Sequence, residues 1–252
     1  MKTLDAAMQI EGMTTYSGLA IMDVFLERAL SASDAKLCFE FGTYKGRTAA
    51  LILGRLKEGG HLHALEQSDY LDSKALSEIS DQFTWHKKKS ESFCENNLPE
   101  TVGDHKVCFT HHDASHFFDN VATELKSIQP LVEDTGIIIL DDFNDTFSQV
   151  RAAYYHLRYT ENFPFELLLT GFNKAILVHE SRFDENEDFV LNGLFDELEK
   201  RHISLQLCRS DVNKFSRSFF IKELPKGETN RYYGTKFWGD KFYQPSRELM
   251  SK

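Results

Sequence analysis

Cysteine pairs, long apolar runs and excess positive charge are all missing from this 252-residue chain. Its four cysteines, Cys38, Cys94, Cys108 and Cys208, are scattered with no CxxC pair. That excludes a disulfide scaffold and a cysteine zinc site, and it points to a reducing, cytoplasmic setting. No stretch approaches the roughly 18 uninterrupted apolar residues of a membrane span. The first residues, MKTLDAAMQIEGM, are broken by Asp5, Gln9 and Glu11 where a secretory signal needs an apolar core. Lys and Arg number 29 against 39 Asp and Glu, a formal charge of −10. Binders of nucleic acid or membrane surfaces concentrate Lys and Arg, so neither partner is expected. Hydrophobic residues make up 41% of the chain, the share of a globular protein with a sizeable core.

Periodicity divides the chain into alternating helices and strands. Helical spacing predicts helices over 15–30 and 47–56, the second closed by Gly59-Gly60. Further helices are expected over 72–79, over 118–131 (closed by Gly136) and over 147–159. Between them lie the apolar runs LCFEF, HLHALE, residues 83–87, KVCFTHHD and IIILDD, and FELLLTGFNKAILV reads as a terminal hairpin. Strands alternating with helices imply an α/β fold, a mostly parallel sheet with helices on both faces. IIIL is apolar on both sides, as a central strand must be. Residues 1–180 are expected to form the main domain. SRFDENEDF reads as an acidic loop opening a C-terminal α+β appendage, 181–252, with a helix over 189–200, strands ISLQLC and RSFFIKEL, and an aromatic tail. Those aromatics (Tyr232, Tyr233, Phe237, Trp238, Phe242, Tyr243) suit core or oligomer packing, or the wall of an acceptor pocket.

In such sheets ligands gather at the carboxyl ends of the strands. Here three strands end in acids: Glu66, Asp113 and the pair Asp141-Asp142. Residues 40–46 give E-x-G-x-x-x-G at a strand-to-helix turn, where Gly42 and Gly46 let backbone approach a ligand closely. The spacing is not the G-x-G-x-x-G of a dinucleotide site, and Glu40 beside the turn disfavours phosphate. Glu66, ending the next strand, is placed to accept hydrogen bonds from a ribose diol. A ribose acid without a pyrophosphate loop suggests a nucleoside bearing a cationic, non-phosphate group, a description met by S-adenosylmethionine (SAM).

FEFGTYKGRTA followed by LHALE resembles the first two motifs of class I SAM-dependent methyltransferases. FTHHDASHFFDNVATELKSIQPLVEDTGIIILDDF resembles their metal-dependent, macrocin-type O-methyltransferase branch, and the similarity runs over about residues 12–180. Two positions depart from the pattern, Ala114 for the family's glycine and Ser115 where an acid is common. The resemblance implies a Rossmann-like fold with SAM contacts at Glu40, Gly42, Thr43, Gly46, Glu66, Ser90 and Asp113. It also implies Mg²⁺ or another divalent cation on Asp113, Asp141 and Asp142, oxygen ligands of the type hard cations take, with His116 as general base to the acceptor hydroxyl. The other reading of the three aspartates is as helix caps and rim charges. Ser92 shares the adenine-side expectation with Ser90. Asn173 and Lys174 read as turn residues and Lys87-Lys88-Lys89 as a solvated face. The acceptor is expected to be a small molecule or a glycan, and homo-oligomer formation stays open. Two alternatives remain at this point: a scaffold that binds SAM without chemistry, and a nucleotide-dependent oxidoreductase.

Overall fold

The computed structural model describes residues 2–35, 37–210, 217–225 and 228–235. β1 (Leu37–Phe41), β2 (His61–Leu65), β3 (Phe83–His86), β4 (Val107–His112) and β5 (Val132–Leu140) are parallel, in the order β3-β2-β1-β4-β5. β6 (Phe165–Gly171) and β7 (Lys174–His179) form the expected hairpin, with β7 antiparallel to β5. This is the mixed, mostly parallel sheet that the alternation of runs predicted.

Successive strand residues feed two separate cores, because side chains alternate across a sheet. Ile137 and Ile139 pack with α1 (Lys2–Gln9), α2 (Tyr16–Ala32) and α3 (Arg47–Leu53) on one face. Ile138 and Leu140 pack on the other with α5 (Ser90–Asn96), α6 (Leu98–Val102), α7 (Phe118–Ile128) and α8 (Val150–Thr160). α4 (Ser73–Ile79) adds Leu76 to the first face, capped by Asp72, whose side chain accepts from the Ala75 amide. Thr15 caps α2 in the same way through the Gly18 amide, at 3.2 Å.

The structure corrects several boundaries. α7 ends at Ile128, and Pro130 lies in a short 3₁₀ turn that leads straight into β5 at Val132. Gly136 therefore sits inside a strand and closes no helix. SRFDENEDF is not a loop: α9 (Phe183–Asn192) begins there, with Asp184 and Glu185 in its first turn, where the helix dipole favours acids. Its acidity is that of a helix start, with Phe183 and Val190 turned to the core. The single helix expected over 189–200 breaks at Gly193, and α10 (Leu194–Glu199) follows. α1, α5 and α6 are short elements that periodicity missed.

Beyond 180 the chain continues the same sheet. β9 (Phe219–Glu223) pairs in parallel with β6, β8 (Leu205–Ser210) pairs antiparallel with β9, and β10 (Arg231–Thr235) pairs with β8. The approach at β6 is close: a Cβ on Gly171 would lie 2.1 Å from Cγ1 of Ile221. Most of the tail aromatics (Phe237, Trp238, Phe242 and Tyr243) lie outside the described residues, as do the side chains of Tyr232 and Tyr233.

α2 ties the two halves together through a buried charge. Asp23, fully buried, accepts from Arg55 Nε and Nη2 at 2.6 and 2.7 Å and from Arg201 Nε at 2.7 Å. Glu27 on the next turn of α2 also meets both arginines. Removing Asp23 takes away the buried carboxylate that the two guanidinium groups share and leaves only the more exposed Glu27 between them. Asp23→Ala should therefore lower stability by about 3–5 kcal/mol, as for other broken buried pairs. Urea unfolding of the full chain measures this, and a loss near zero would mean that the arginines find other partners.

Candidate active site

The glycine turn is shaped first by its neighbours in the sheet. Gly42 has φ 84°, and a Cβ there would lie 2.2 Å from the Asp113 carbonyl oxygen. The amides of Gly42 and Thr43 both donate to Leu65 O at 3.0 Å, and the Asp113 amide donates to Phe41 O at 2.7 Å. The ends of β1, β2 and β4 are thus joined through one short turn. Gly46, φ 101°, caps α3 and faces Leu71 and Leu76.

A cavity of about 520 Å³ opens over this turn. Thr43, Gly46, Glu66, Ser90, Asp113 and His116 all line it, so one cleft joins the expected cofactor residues to the expected base. The Glu66 carboxylate accepts from the Tyr44 amide at 3.0 Å and the Ser68 amide at 2.8 Å, which fixes its orientation at the cavity wall. Ser90 rather than Ser92 reaches the cavity. Its hydroxyl donates to the buried Glu124, which also accepts from His112 Nδ1 at 2.9 Å. Lys87, Lys88 and Lys89 are exposed, as a solvated face should be.

Glu40 does not line the cavity. Strand alternation turns it beneath the sheet end, fully buried, 3.1 Å from His111 Nδ1 and with Oε2 left without a hydrogen bond. Sequence reasoning also passed over Arg47, whose guanidinium donates to Ile10 O at 2.8 Å and Thr14 O at 2.9 Å. It straps the segment before α2 across the cavity, where Gly12, Met13 and Thr14 form part of the wall. The only sequence signal was its place in the first turn after the glycines.

The acidic cluster lies at the ends of β4 and β5. His116 bridges two of its members, with Nε2 3.4 Å from Asp113 Oδ1 and Nδ1 3.0 Å from Asp142 Oδ2. The hydrogen bond to Asp113 raises the imidazole pKa, burial opposes the rise, and Asp142 adds to it. Burial pushes Asp113 up to about 6; His116 opposes this and the negative charge of Asp141 adds to it. Burial also raises the pKa of Asp141, but the Lys174 ammonium at 2.6 Å, His111 and the Asp142 amide together outweigh it and hold the pKa below the ordinary value. Asn173 donates to Asp142, which adopts φ 50°. Asn173 and Lys174, read from sequence as turn chemistry, thus bind the adjacent aspartates.

Donor atoms here fall into two sets that share Asp113: His111, Asp113 and Asp141, and Asp113, His116 and Asp142. Within each set they lie within 4.8 Å of one another. Carboxylate oxygens in this number suit a hard cation. Burial of Asp113, with Asp141 close by, makes its ionised form costly, a cost that a cation on the site would offset. The residues present therefore fit a divalent ion.

Residues 39–143 match the family model described as a methyltransferase domain, a segment that includes every expected site residue. Together with the strand order and the cleft, this decides the cofactor class. The segment is a class I, SAM-dependent methyltransferase domain. Solved structures share this fold. The O-methyltransferase from Bacillus cereus, in complex with SAH, is 13% identical with TM-score 0.53, the match covering 71% of this chain and 91% of that one. The O-methyltransferase NovP is 12% identical with TM-score 0.52, covering 67% and 83%. The calicheamicin methyltransferase CalS11 is 12% identical with TM-score 0.50, covering 64% and 78%. At these identities the likeness establishes the fold. No curated protein sequence matches the chain. No helix among the described residues is long and apolar enough to cross a membrane.

The raised Asp113 pKa has a consequence for the stability of the metal-free protein. Folding favours the protonated carboxyl, so ionisation between about pH 4 and 6 costs stability, and the cost is complete above pH 6. Asp113→Asn should therefore stabilise the EDTA-treated protein by about 1–3 kcal/mol at pH 7.5 and change little at pH 4. Urea melts at the two pH values check this, and equal effects at both would contradict it.

Proposed function

We propose that the protein is a SAM-dependent O-methyltransferase that methylates a hydroxyl group of a small molecule or sugar, assisted by a divalent cation and by His116 as general base. One observation carries this reading: a single cleft holds the glycine turn and Glu66 at one side and Asp113 and His116 at the other. Cofactor and acceptor sites must share a boundary for direct transfer. CalS11, of the same fold, is described as a TDP-rhamnose 3′-O-methyltransferase, which favours a sugar-like acceptor here.

When bound, SAM supplies an electrophilic methyl group, and a divalent ion supplies positive charge to an acceptor oxygen. The chain's own residues do the rest. Glu66, oriented by two backbone amides, has lone pairs free to accept from ribose hydroxyls. Gly42 and Gly46, with Thr43 and Ser90 beside them, leave space for the nucleoside and its amino-acid arm. Glu40 is buried outside the cavity wall, facing His111. Asp113 and Asp142, with Asp141 beside them, form the acidic group against which the cation would sit. His116 Nε2, which stands 3.4 Å from Asp113 Oδ1 at the cavity wall, is the atom to take the acceptor proton. Methyl transfer is an in-line displacement, so holding oxygen, carbon and sulfur in line supplies much of the acceleration. Four free cysteines agree with work in the cytoplasm.

Calorimetry should show SAM and its demethylated product binding, with NAD(H) much weaker. Glu66→Ala should weaken that binding by about 1.5–3 kcal/mol, the range for hydrogen bonds to a charged group. With a panel of hydroxylated acceptors, EDTA should abolish methyl transfer and leave SAM binding in place. His116→Ala should lower kcat by about 10²–10⁴-fold, partly recovered at higher pH. Tight NAD(H) binding without SAM binding would falsify the assignment.

A further inference from the structure

Lys174 is 1% exposed, and its ammonium lies 2.6 Å from Asp141 Oδ2. A lysine this deep keeps its charge only beside a counter-ion, and separating the two would leave both uncompensated in a dry interior. Among the described side chains Asp113 also feels the charge of the ammonium, but Asp141 is the carboxylate within ion-pair distance of it. His111 Nε2 is 3.9 Å from the same Asp141 oxygen, and Glu40 is turned to the far side of His111. The first turn of α2 covers the ammonium, with Lys174 Cε in van der Waals range of a Cβ placed on Gly18.

Asp113 and Asp142 have a different partner. They share His116, a third of whose side chain is exposed and which stands at the cavity wall. A cation entering from the cavity can displace an imidazole that swings toward solvent, whereas it would have to expel a buried ammonium to reach Asp141. The hairpin turn enforces this division. Its consecutive residues Asn173 and Lys174 bind Asp142 and Asp141, and the Phe143 amide donates to Asn173 O at 3.1 Å.

We propose that Lys174 is a positioning residue that permanently neutralises Asp141, so that the exchangeable divalent cation is held through Asp113 and Asp142 and Asp141 is not its ligand. The inference rests on the reading that this cluster takes a divalent cation. It departs from the three-aspartate set that the family resemblance implies.

The test is Mn²⁺ binding to the full chain, followed by calorimetry and by the electron paramagnetic resonance of free Mn²⁺, with and without SAH. Asp142→Asn should weaken Mn²⁺ binding by about tenfold or more, while Asp141→Asn, which leaves the ammonium uncompensated near the site without removing a ligand, should weaken it clearly less than that. Lys174→Met releases Asp141 and should tighten binding about fivefold or more. Should that variant not fold, Lys174→Met/Asp141→Leu removes the pair together and should keep wild-type Mn²⁺ affinity within about threefold. A merely structural lysine would move none of these affinities in this pattern. An Asp141→Asn loss as large as that of Asp142→Asn overturns the proposal, as does a tenfold loss in the double variant. Absence of Mn²⁺ binding by the wild type also overturns it. SAH binding and methyl transfer are read separately on the same samples, so the methyltransferase assignment stands or falls by its own result.

Discussion

The site depends on how closely two strand ends approach each other. The turn after β1 lies so near the backbone of Asp113 and Ala114 that position 42 has no room for a side chain. This contact places the glycine turn and Asp113 on one edge of the sheet, and the hydrogen bond from the Asp113 amide to Phe41 O locks it. The first glycine of the motif is therefore required by the protein itself before any ligand arrives. Once that edge is fixed, Glu66 on one side and the ends of β4 and β5 on the other have no freedom to drift apart.

Below this edge the sheet carries two buried polar rows, one on each face. His111 and His112 are neighbours in sequence, so the pleat sends one to each face. His111 joins Glu40, Asp141 and Lys174, and His112 joins Thr110, Glu124 and Ser90. Buried ionisable groups are costly unless they are paired. Here the pairing runs from strand to strand and ends at residues that touch the cavity, Ser90 on one face and the acidic cluster on the other. The polar rows hold the functional side chains in place from beneath, which apolar packing alone could not do with the same directionality.

The C-terminal part joins this framework by extending it. β9 adds to the edge of the hairpin at β6, and α2 binds the turn after α10 through Asp23 and Arg201 and β9 through Ser17 and Glu223. α2 also covers Lys174, and its preceding loop closes the cavity under the hold of Arg47. One helix thereby connects the extension, the buried charges and the cavity wall.

By itself the sequence determined the alternation of strands and helices, the apolar central strand, the hairpin, the glycine turn and the acids at strand ends. Each of these is a local pattern: a period of two or 3.6, a glycine where backbone must turn, or an acid at the end of an apolar run. Tertiary structure alone decided that Glu40 lies under the cavity and not in its wall, that Arg47 straps residues 10–14, and that β9 continues the sheet. It also decided that two hairpin-turn residues bind Asp141 and Asp142. Lys174 stands 33 residues from its aspartate, and Arg201 stands 178 from Asp23. Pairs this distant are set by strand register and by the angle at which helices cross the sheet, and no local spacing records either. The acidity of SRFDENEDF misled for the same reason, because charge reports exposure to water and leaves the backbone's hydrogen bonding undetermined.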